Sequence, residues 1–219
     1  MRIFIVIPAH NEAKRIGAVL ADAVKTKLPI VVVDDGSTDK TCEVAKKFKV
    51  TLLRHRINLG KGSALKTGCE AAFSMGAQAV VFLDSDGQHK IEDLPKFIRA
   101  LNTGKYDIVF GSRNLNMGVP IERYVGNKLA SILVNLLFNI YVSDLICGYR
   151  GLTKRAFQKL DWESTGYGVE TETVVKCGRL GLTHCEVPVA TVYYDKFKGV
   201  SILDALGILL DVFRWRLKR

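Results

Sequence analysis

Two aspartates, Asp84 and Asp86 in FLDSDGQ, stand two residues apart at the end of an apolar run. In an extended backbone both side chains project to the same side, with their Cα atoms roughly 6–7 Å apart. Two hard oxygen ligands so placed can meet one cation, and Mg²⁺ or Mn²⁺ favours carboxylates when water and substrate phosphates complete its shell. Such an ion neutralises charge on a departing diphosphate. A bare DxD is also what a solvated turn looks like, so the pair takes its meaning from its surroundings. A second acidic pair, Asp34 and Asp35, ends another apolar run ahead of Gly36 and Ser37. It can offer a carboxylate to a nucleobase edge, and it can equally cap a helix together with Ser37, Thr38 and Asp39. Pro8 ends a third run, and Glu12 beyond it suits the start of the following helix.

These residues need a scaffold, and the chain spells one out. IFIVI at 3–7 precedes Ile16, Val19, Leu20, Ala23 and Val24 at helical spacing. The unit recurs: IVVV at 30–33 with a helix from about Asp39, VTLL at 50–53 with one from about Ser63, and AVVFL at 79–83 with one from about Glu92. DIVFG at 107–111 follows. Continuous β-branched runs mark strands buried on both faces, hence an α/β fold with a largely parallel sheet covered by helices. Ligands bind such sheets beyond the carboxyl ends of the strands. There the loops PAHNE, DDGSTD, DSDGQH and GSRN are expected to gather. The second half reads differently: an apolar stretch at 129–142, a polar GYR turn, strand-like EVPVATVYY at 186–194, and a final VSILDALGILLDVFRWRLKR.

At 219 residues the chain suits one globular domain. Its net charge of +10 predicts attraction to anionic lipid or phosphorylated substrates. No nucleic-acid module is spelled out, so nucleic acid is not expected as a partner. Five cysteines without a CxxC pair read as reduced cytosolic thiols, and the N-terminal apolar run is too short for an export signal. GKGS at 60–63 is not a phosphate-binding P-loop, because His55 and Gly62 stand where Gly and Ser/Thr are required. No GxGxxG follows the first strand, which argues against a dinucleotide oxidoreductase.

IPAHNE, VVVDDGSTD, NLGKGSALKTG, FLDSDGQH, GSR and DLICGYR follow one another in this chain in an order and spacing that resembles family 2 glycosyltransferases. The nearest likeness is to dolichyl-phosphate mannose synthases and related polyprenyl-phosphate glycosyltransferases. That resemblance implies a GT-A (nucleotide-diphospho-sugar transferase) fold, Rossmann-like, with a mainly parallel mixed sheet. It implies a GDP- or UDP-hexose donor, a polyprenyl or dolichyl phosphate acceptor, and Mg²⁺ or Mn²⁺. Residue by residue, Pro8, Ala9, Asn11 and Glu12 look like the nucleotide cradle. Asp35, with Asp34, looks like the base contact, and Lys61 looks nucleotide-proximal. Asp84, Asp86 and Gln88 match the element that holds metal and sugar diphosphate, with Asp86 and Arg113 in catalytic roles. Arg113, Arg123 and Lys196 sit where the family has basic residues facing phosphates, and Glu170 and Glu172 match an acidic element whose simpler reading is a solvated helix start. His89 reads most simply as a surface-turn residue.

A phosphate acceptor is supported by a separate chemical argument. Its oxygen is already anionic near neutral pH and needs cations more than a base. Arg113, Arg123, Arg150, Lys196 and Lys198 are available, whereas the only base candidate is Asp144, which can equally position a neighbour or pin the GYR turn. A required base at Asp144 would favour a sugar-hydroxyl acceptor instead. A non-catalytic membrane-binding protein is the reading of a different class. Residues 200–219 form a broadly apolar helix beyond a domain at 1–199, with Ser201, Asp204, Gly207, Asp211, Arg214 and Lys218 on one polar stripe. Lys128, Ser131, Asn135 and Asn139 make a similar stripe in the earlier apolar stretch. Both helices either cover the protein or dock on the cytoplasmic face of a membrane, as peripheral elements with interfacial Trp and basic residues.

Overall fold

The computed structural model describes residues 1–113, 121–190 and 202–217. Among the described residues seven strands form one sheet in the order β3-β2-β1-β4-β6-β5-β7. They are β1 (Ile3–Ala9), β2 (Ile30–Asp34), β3 (Thr51–Arg54), β4 (Ala79–Phe82), β5 (Ile108–Arg113), β6 (Arg150–Thr153) and β7 (His184–Val189). Every pairing is parallel except those of β6, which runs antiparallel between β4 and β5. The carboxyl ends of the other six strands therefore share one edge, where β6 begins.

The sheet is covered on both faces, as the unbroken apolar runs predict. Ile3, Ile5 and Ile7 of β1 pack with α1 (Ile16–Ala23), α2 (Thr41–Ala45) and α4 (Leu94–Asn102). Phe4 and Val6, on the alternate face, pack with α3 (Lys61–Ser74), α5 (Ile121–Phe138), α6 (Lys154–Leu160), α7 (Val169–Arg179) and α8 (Ile202–Leu217). Each fully buried residue of this kind contributes about 1.5–3 kcal/mol. The central strands are thus held firmly, and so are the positions of the loops at their ends. Pro8 lacks an N–H, and it falls where that costs nothing: the β1–β4 ladder ends at Val6, while Pro8 still pairs in register with Val33 on β2.

Several boundaries differ from the sequence reading. The GYR segment is not a turn, because Arg150 and Gly151 open β6. A four-residue strand of RGLT lacks the apolar run that would announce it. Helix α3 begins at Lys61 rather than Ser63, and α5 spans 121–138 rather than 129–142. Strand β7 starts at His184, and the expected continuation through 191–194 lies outside the described residues. Helix α8 touches the rest of the protein: Val212 is buried, Trp215 packs against the core, and Arg179 donates to the Trp215 carbonyl at 2.9 Å.

Candidate active site

Asp84 follows β4, where the sheet edge opens between β1 and β6. Its Oδ1 lies 2.8 Å from Lys61 Nζ, and its Oδ2 lies 3.3 Å from His89 Nε2. The same ammonium reaches Glu170 Oε1 at 2.8 Å, so Lys61 bridges two carboxylates from different elements. Burial acts to raise the Asp84 pKa, but Lys61 and His89 outweigh it and hold the carboxyl well below the usual range. Burial likewise opposes the Lys61 charge, and Asp84 and Glu170 outweigh it and push that pKa up. Asp86 differs. Burial, and behind it the charge of Asp84, push its pKa upward, and its Oδ1 accepts from the Gln88 N–H at 3.0 Å. Among the described residues no basic side chain pairs with Asp86.

Two glycine positions make this cluster possible. A Cβ added at Gly148 would stand 2.5 Å from Asp84 Oδ2 and 2.8 Å from Lys61 Nζ, so the CGYR segment passes directly over the ion pair. Gly62, next to Lys61, lies against the carbonyl of Ser164 with no room for a side chain, and its N–H donates to the Thr165 carbonyl. Glu172 holds that opposing loop, accepting from the N–H of Glu163 at 2.8 Å and of Ser164 at 2.7 Å. Trp162 Nε1 donates to the Gly62 carbonyl at 3.0 Å. The 162–166 loop thus clamps the turn that carries Lys61.

The β1 and β2 loops are stitched together by Asn11, which adopts φ 53°. Its Oδ1 accepts from the Thr38 N–H at 2.9 Å and its own N–H donates to Ser37 Oγ at 3.0 Å. The Glu12 N–H donates to Thr41 Oγ1 at 2.8 Å, and its carboxylate lies 3.4 Å from Arg15. Pro8 and Ala9 are buried within β1, so they shape the edge through backbone alone. Asp34 is fully buried, accepting from the Ser37 N–H at 3.1 Å, with Arg54 Nε 3.1 Å from its other oxygen. That second contact is an ion pair without hydrogen-bond alignment. Asp35 faces inward to accept from Leu59 N–H (2.9 Å) and Gly60 N–H (2.8 Å), with His55 Nδ1 at 2.7 Å. Three of its roughly four lone-pair sites are filled. Asp35 therefore builds the 55–60 loop beside the site and has little left with which to read a base.

At the end of β5, Arg113 forms a bidentate pair with Asp144, Nε to Oδ2 at 2.6 Å and Nη2 to Oδ1 at 2.8 Å. Asp144 is wholly buried. This corrects the acid/base expectation: both its oxygens hold a guanidinium fork, so the residue positions Arg113 and has no face to turn to an acceptor. Arg150 is likewise no phosphate ligand. It is buried, donating to the carbonyls of Cys147 (2.8 Å), Leu145 (2.6 Å) and Glu170 (2.6 Å) and to Thr173 Oγ1. Glu170 and Glu172 are buried rather than solvated, and His89 is buried rather than on the surface. Arg123 falls in α5 with its side chain outside the described residues, as do Lys196 and Lys198 altogether. The sequence reading gave no role to Gly148, and only its close approach in space reveals one.

The edge assembled in this way brings Asp84 and Asp86 beside a clamped lysine and a fixed arginine, and the chain as a whole is similar to known proteins. A protein of Methanococcus voltae named UDP-N-acetylglucosamine–dolichyl-phosphate N-acetylglucosaminyltransferase is 31% identical over 94% of this chain and 92% of its own length. An undecaprenyl-phosphate mannosyltransferase of Micrococcus luteus is 29% identical over 99% and 95%. The glucosyl-3-phosphoglycerate synthase of Mycobacterium tuberculosis, solved with Mn²⁺, UDP-glucose and phosphoglyceric acid, superposes with a TM-score of 0.74 at 23% identity. That match covers 96% of this chain and 79% of the solved one, and it shows the GT-A fold. Residues 4–161 match the family described as glycosyl transferase family 2, and the chain belongs to that family of glycosyltransferases.

Proposed function

We propose that the protein transfers a hexose, mannose or glucose, from a GDP- or UDP-sugar to the phosphate of a polyprenol. The two named relatives differ in sugar and agree in taking a polyprenyl phosphate, so they support the acceptor class more than the donor. The single observation that carries the reading is the placement of Asp86, a half-buried carboxylate beside Asp84 that forms no ion pair with a basic side chain among the described residues. A divalent ion fits this donor set, held by Asp86 with Asp84 and Gln88 beside it, since Mg²⁺ and Mn²⁺ use one or two carboxylates and take their other ligands from substrate phosphates and water. When bound, it would neutralise charge on the leaving nucleoside diphosphate.

The protein's own residues do the rest. Lys61 keeps Asp84 ionised, and Glu170 holds Lys61 from the far side. Asn11, Asp34 and Asp35 fix the two loops that would receive the nucleotide. Arg113, oriented by Asp144, supplies positive charge at the end of β5 where an acceptor phosphate would approach. One phosphate oxygen forms a bond to the anomeric carbon while the bond from that carbon to the diphosphate breaks, with inversion. No proton needs removing from an oxygen that is already anionic. This agrees with the lack of any accessible base at Asp144. Catalysis is then chiefly positioning and electrostatics.

The acceptor's tail lives in a bilayer, and no helix of the described residues is long and apolar enough to cross one. Docking at the surface supplies access. Val125, Leu129, Ile132 and Leu136 form an exposed stripe on α5, with Leu136 77% exposed, while Asn127 and Ser131 point inward. Leu210, Phe213 and Leu217 of α8 are exposed as well, beside Arg214 and Arg216. Apolar residues facing out and polar ones facing in suit a lipid surface at the cytoplasmic face. The test is incubation of purified protein, Mn²⁺ and polyprenyl phosphate with labelled GDP-mannose, UDP-glucose or UDP-N-acetylglucosamine. Label from one donor should enter the organic phase. No lipid-linked label from any donor would defeat the acceptor assignment.

A further inference from the structure

Asp144 is flanked by two residues that one side chain of α5 holds together. Asn127 is 7% exposed; its Nδ2 donates to the Ser143 carbonyl at 3.1 Å, and its Oδ1 accepts from the Leu145 N–H at 3.2 Å. On the sheet side the same segment is fixed by β7 and β5. Glu186 Oε1 accepts from Ser143 N–H at 2.8 Å and from Ser143 Oγ at 2.6 Å, and Ser112 Oγ lies 2.6 Å from Ser143 Oγ. The carboxylate that orients Arg113 is therefore suspended between a rigid sheet and a single amide on a helix. That helix turns the opposite face outward: Asn127, Ser131 and Val134 are buried, whereas Val125, Leu129, Ile132 and Leu136 are exposed.

We propose that Asn127 is a positioning residue for Arg113, and that through it the seating of α5 on a lipid surface sets the Arg113–Asp144 pair. The lipid half rests on the docking reading above; the Asn127 half rests on the hydrogen bonds alone. A shift of α5 toward a bilayer displaces Ser143 and Leu145 together, because both bonds come from one amide. It cannot displace them freely, because Glu186 and Ser112 hold the other side. The outcome is a change in how tightly Asp144 grips the guanidinium, which couples phosphate-facing charge to contact with the membrane that carries the acceptor.

The experiment reads the Arg113 Nε–H directly, in the full chain labelled with ¹⁵N-arginine, the signal being assigned by its loss in Arg113→Lys. Its exchange with water is slowed by the bond to Asp144. Asn127→Ala removes two hydrogen bonds and should speed that exchange by about tenfold. Ser131→Ala, which removes only the buried bond from Ser131 Oγ to the Asn127 carbonyl within α5, should leave it unchanged. Equal exchange in wild type and Asn127→Ala, or equal acceleration by Ser131→Ala, overturns the positioning role. Vesicles of phosphatidylglycerol and phosphatidylcholine should slow the exchange in wild type and not in Asn127→Ala, although both co-sediment. Wild type that co-sediments with unchanged exchange overturns the coupling. Failure to co-sediment overturns the lipid half together with the docking reading beneath it, while the Asn127→Ala rate still decides the other half.

Discussion

Gly148→Ala adds one methyl group at the most crowded point of the candidate site. The new Cβ would stand 2.5 Å from Asp84 Oδ2 and 2.8 Å from Lys61 Nζ, against a normal contact near 3.5 Å. Gly148 does not occupy the left-handed region, so alanine brings no backbone strain and the effect is steric alone. Relief requires Asp84 or Lys61 to move by about an ångström, which breaks their 2.8 Å contact. A hydrogen bond between charged groups is worth about 1.5–3 kcal/mol. At about 1.36 kcal/mol per decade this is roughly 10- to 150-fold in rate. Initial rates against donor concentration, with Mn²⁺ saturating, should show kcat/KM reduced by that factor while thermal unfolding stays cooperative. Gly148→Ala with wild-type kcat/KM would refute the inference that the Lys61–Asp84 geometry serves the reaction.

Asp144→Asn keeps the shape and removes the charge opposite Arg113. Breaking a buried pair costs about 3–5 kcal/mol, and the slight exposure of Arg113 puts the loss near about 3; urea unfolding measures it. The variant's kcat should fall without loss of a limb in the pH–rate profile, whereas a vanished limb would restore Asp144 as a base. For Glu172, burial acts to raise the pKa, but hydrogen bonds led by those from Ser164 and Glu163 outweigh it and hold the carboxyl low. A depressed carboxyl contributes its stability in full above the unfolded value of about 4.3 and loses it as pH falls through the folded one. The wild-type urea midpoint should therefore drop between about pH 5 and pH 3, and Glu172→Gln should flatten that slope while lowering the midpoint at neutral pH. An identical slope contradicts the assignment. Leu129→Ser with Leu136→Ser removes about 1 kcal/mol of partial insertion per residue, weakening vesicle co-sedimentation roughly thirtyfold. Folding stability should fall by no more than about 1 kcal/mol, the loss of helix propensity at two sites, because both side chains are exposed in the free protein.

The parallel half of the sheet was readable because strands buried on both faces must be apolar without interruption. IFIVI, IVVV and AVVFL each announce themselves, and the DxD and DDGS loops follow at their carboxyl ends. Strand β6 was not readable. RGLT carries a glycine and a buried arginine, and its place between β4 and β5 depends on contacts across some seventy residues of chain for β4. The same limit governed the charged residues. Strand order put the loops that hold Asp84, Asp86 and Arg113 at one edge, and the family resemblance put Lys61 near the nucleotide, but partnership is a property of space. Nothing local states that Lys61 bridges Asp84 and Glu170, or that Asp144 faces Arg113 rather than a substrate. His89 and Glu170 looked like surface residues for this reason: a polar residue in a turn or a first helical turn is usually solvated, and here the 162–166 loop and the CGYR segment close over the site. Helix α5 gave a broad apolar face in sequence, and only packing shows that Asn127 and Ser131 turn inward.

Under the proposed function, Asp86, beside Asp84, is the carboxylate that would meet a divalent ion against the diphosphate of the donor. Anomalous scattering from crystals grown with Mn²⁺ and a nucleotide sugar tests it most directly. A manganese peak within about 2.3 Å of an Asp86 oxygen and in contact with the donor diphosphate is the predicted result, lost in Asp86→Ala. A peak elsewhere on the protein, or a nucleotide bound away from the ends of β1, β2 and β4, would contradict it.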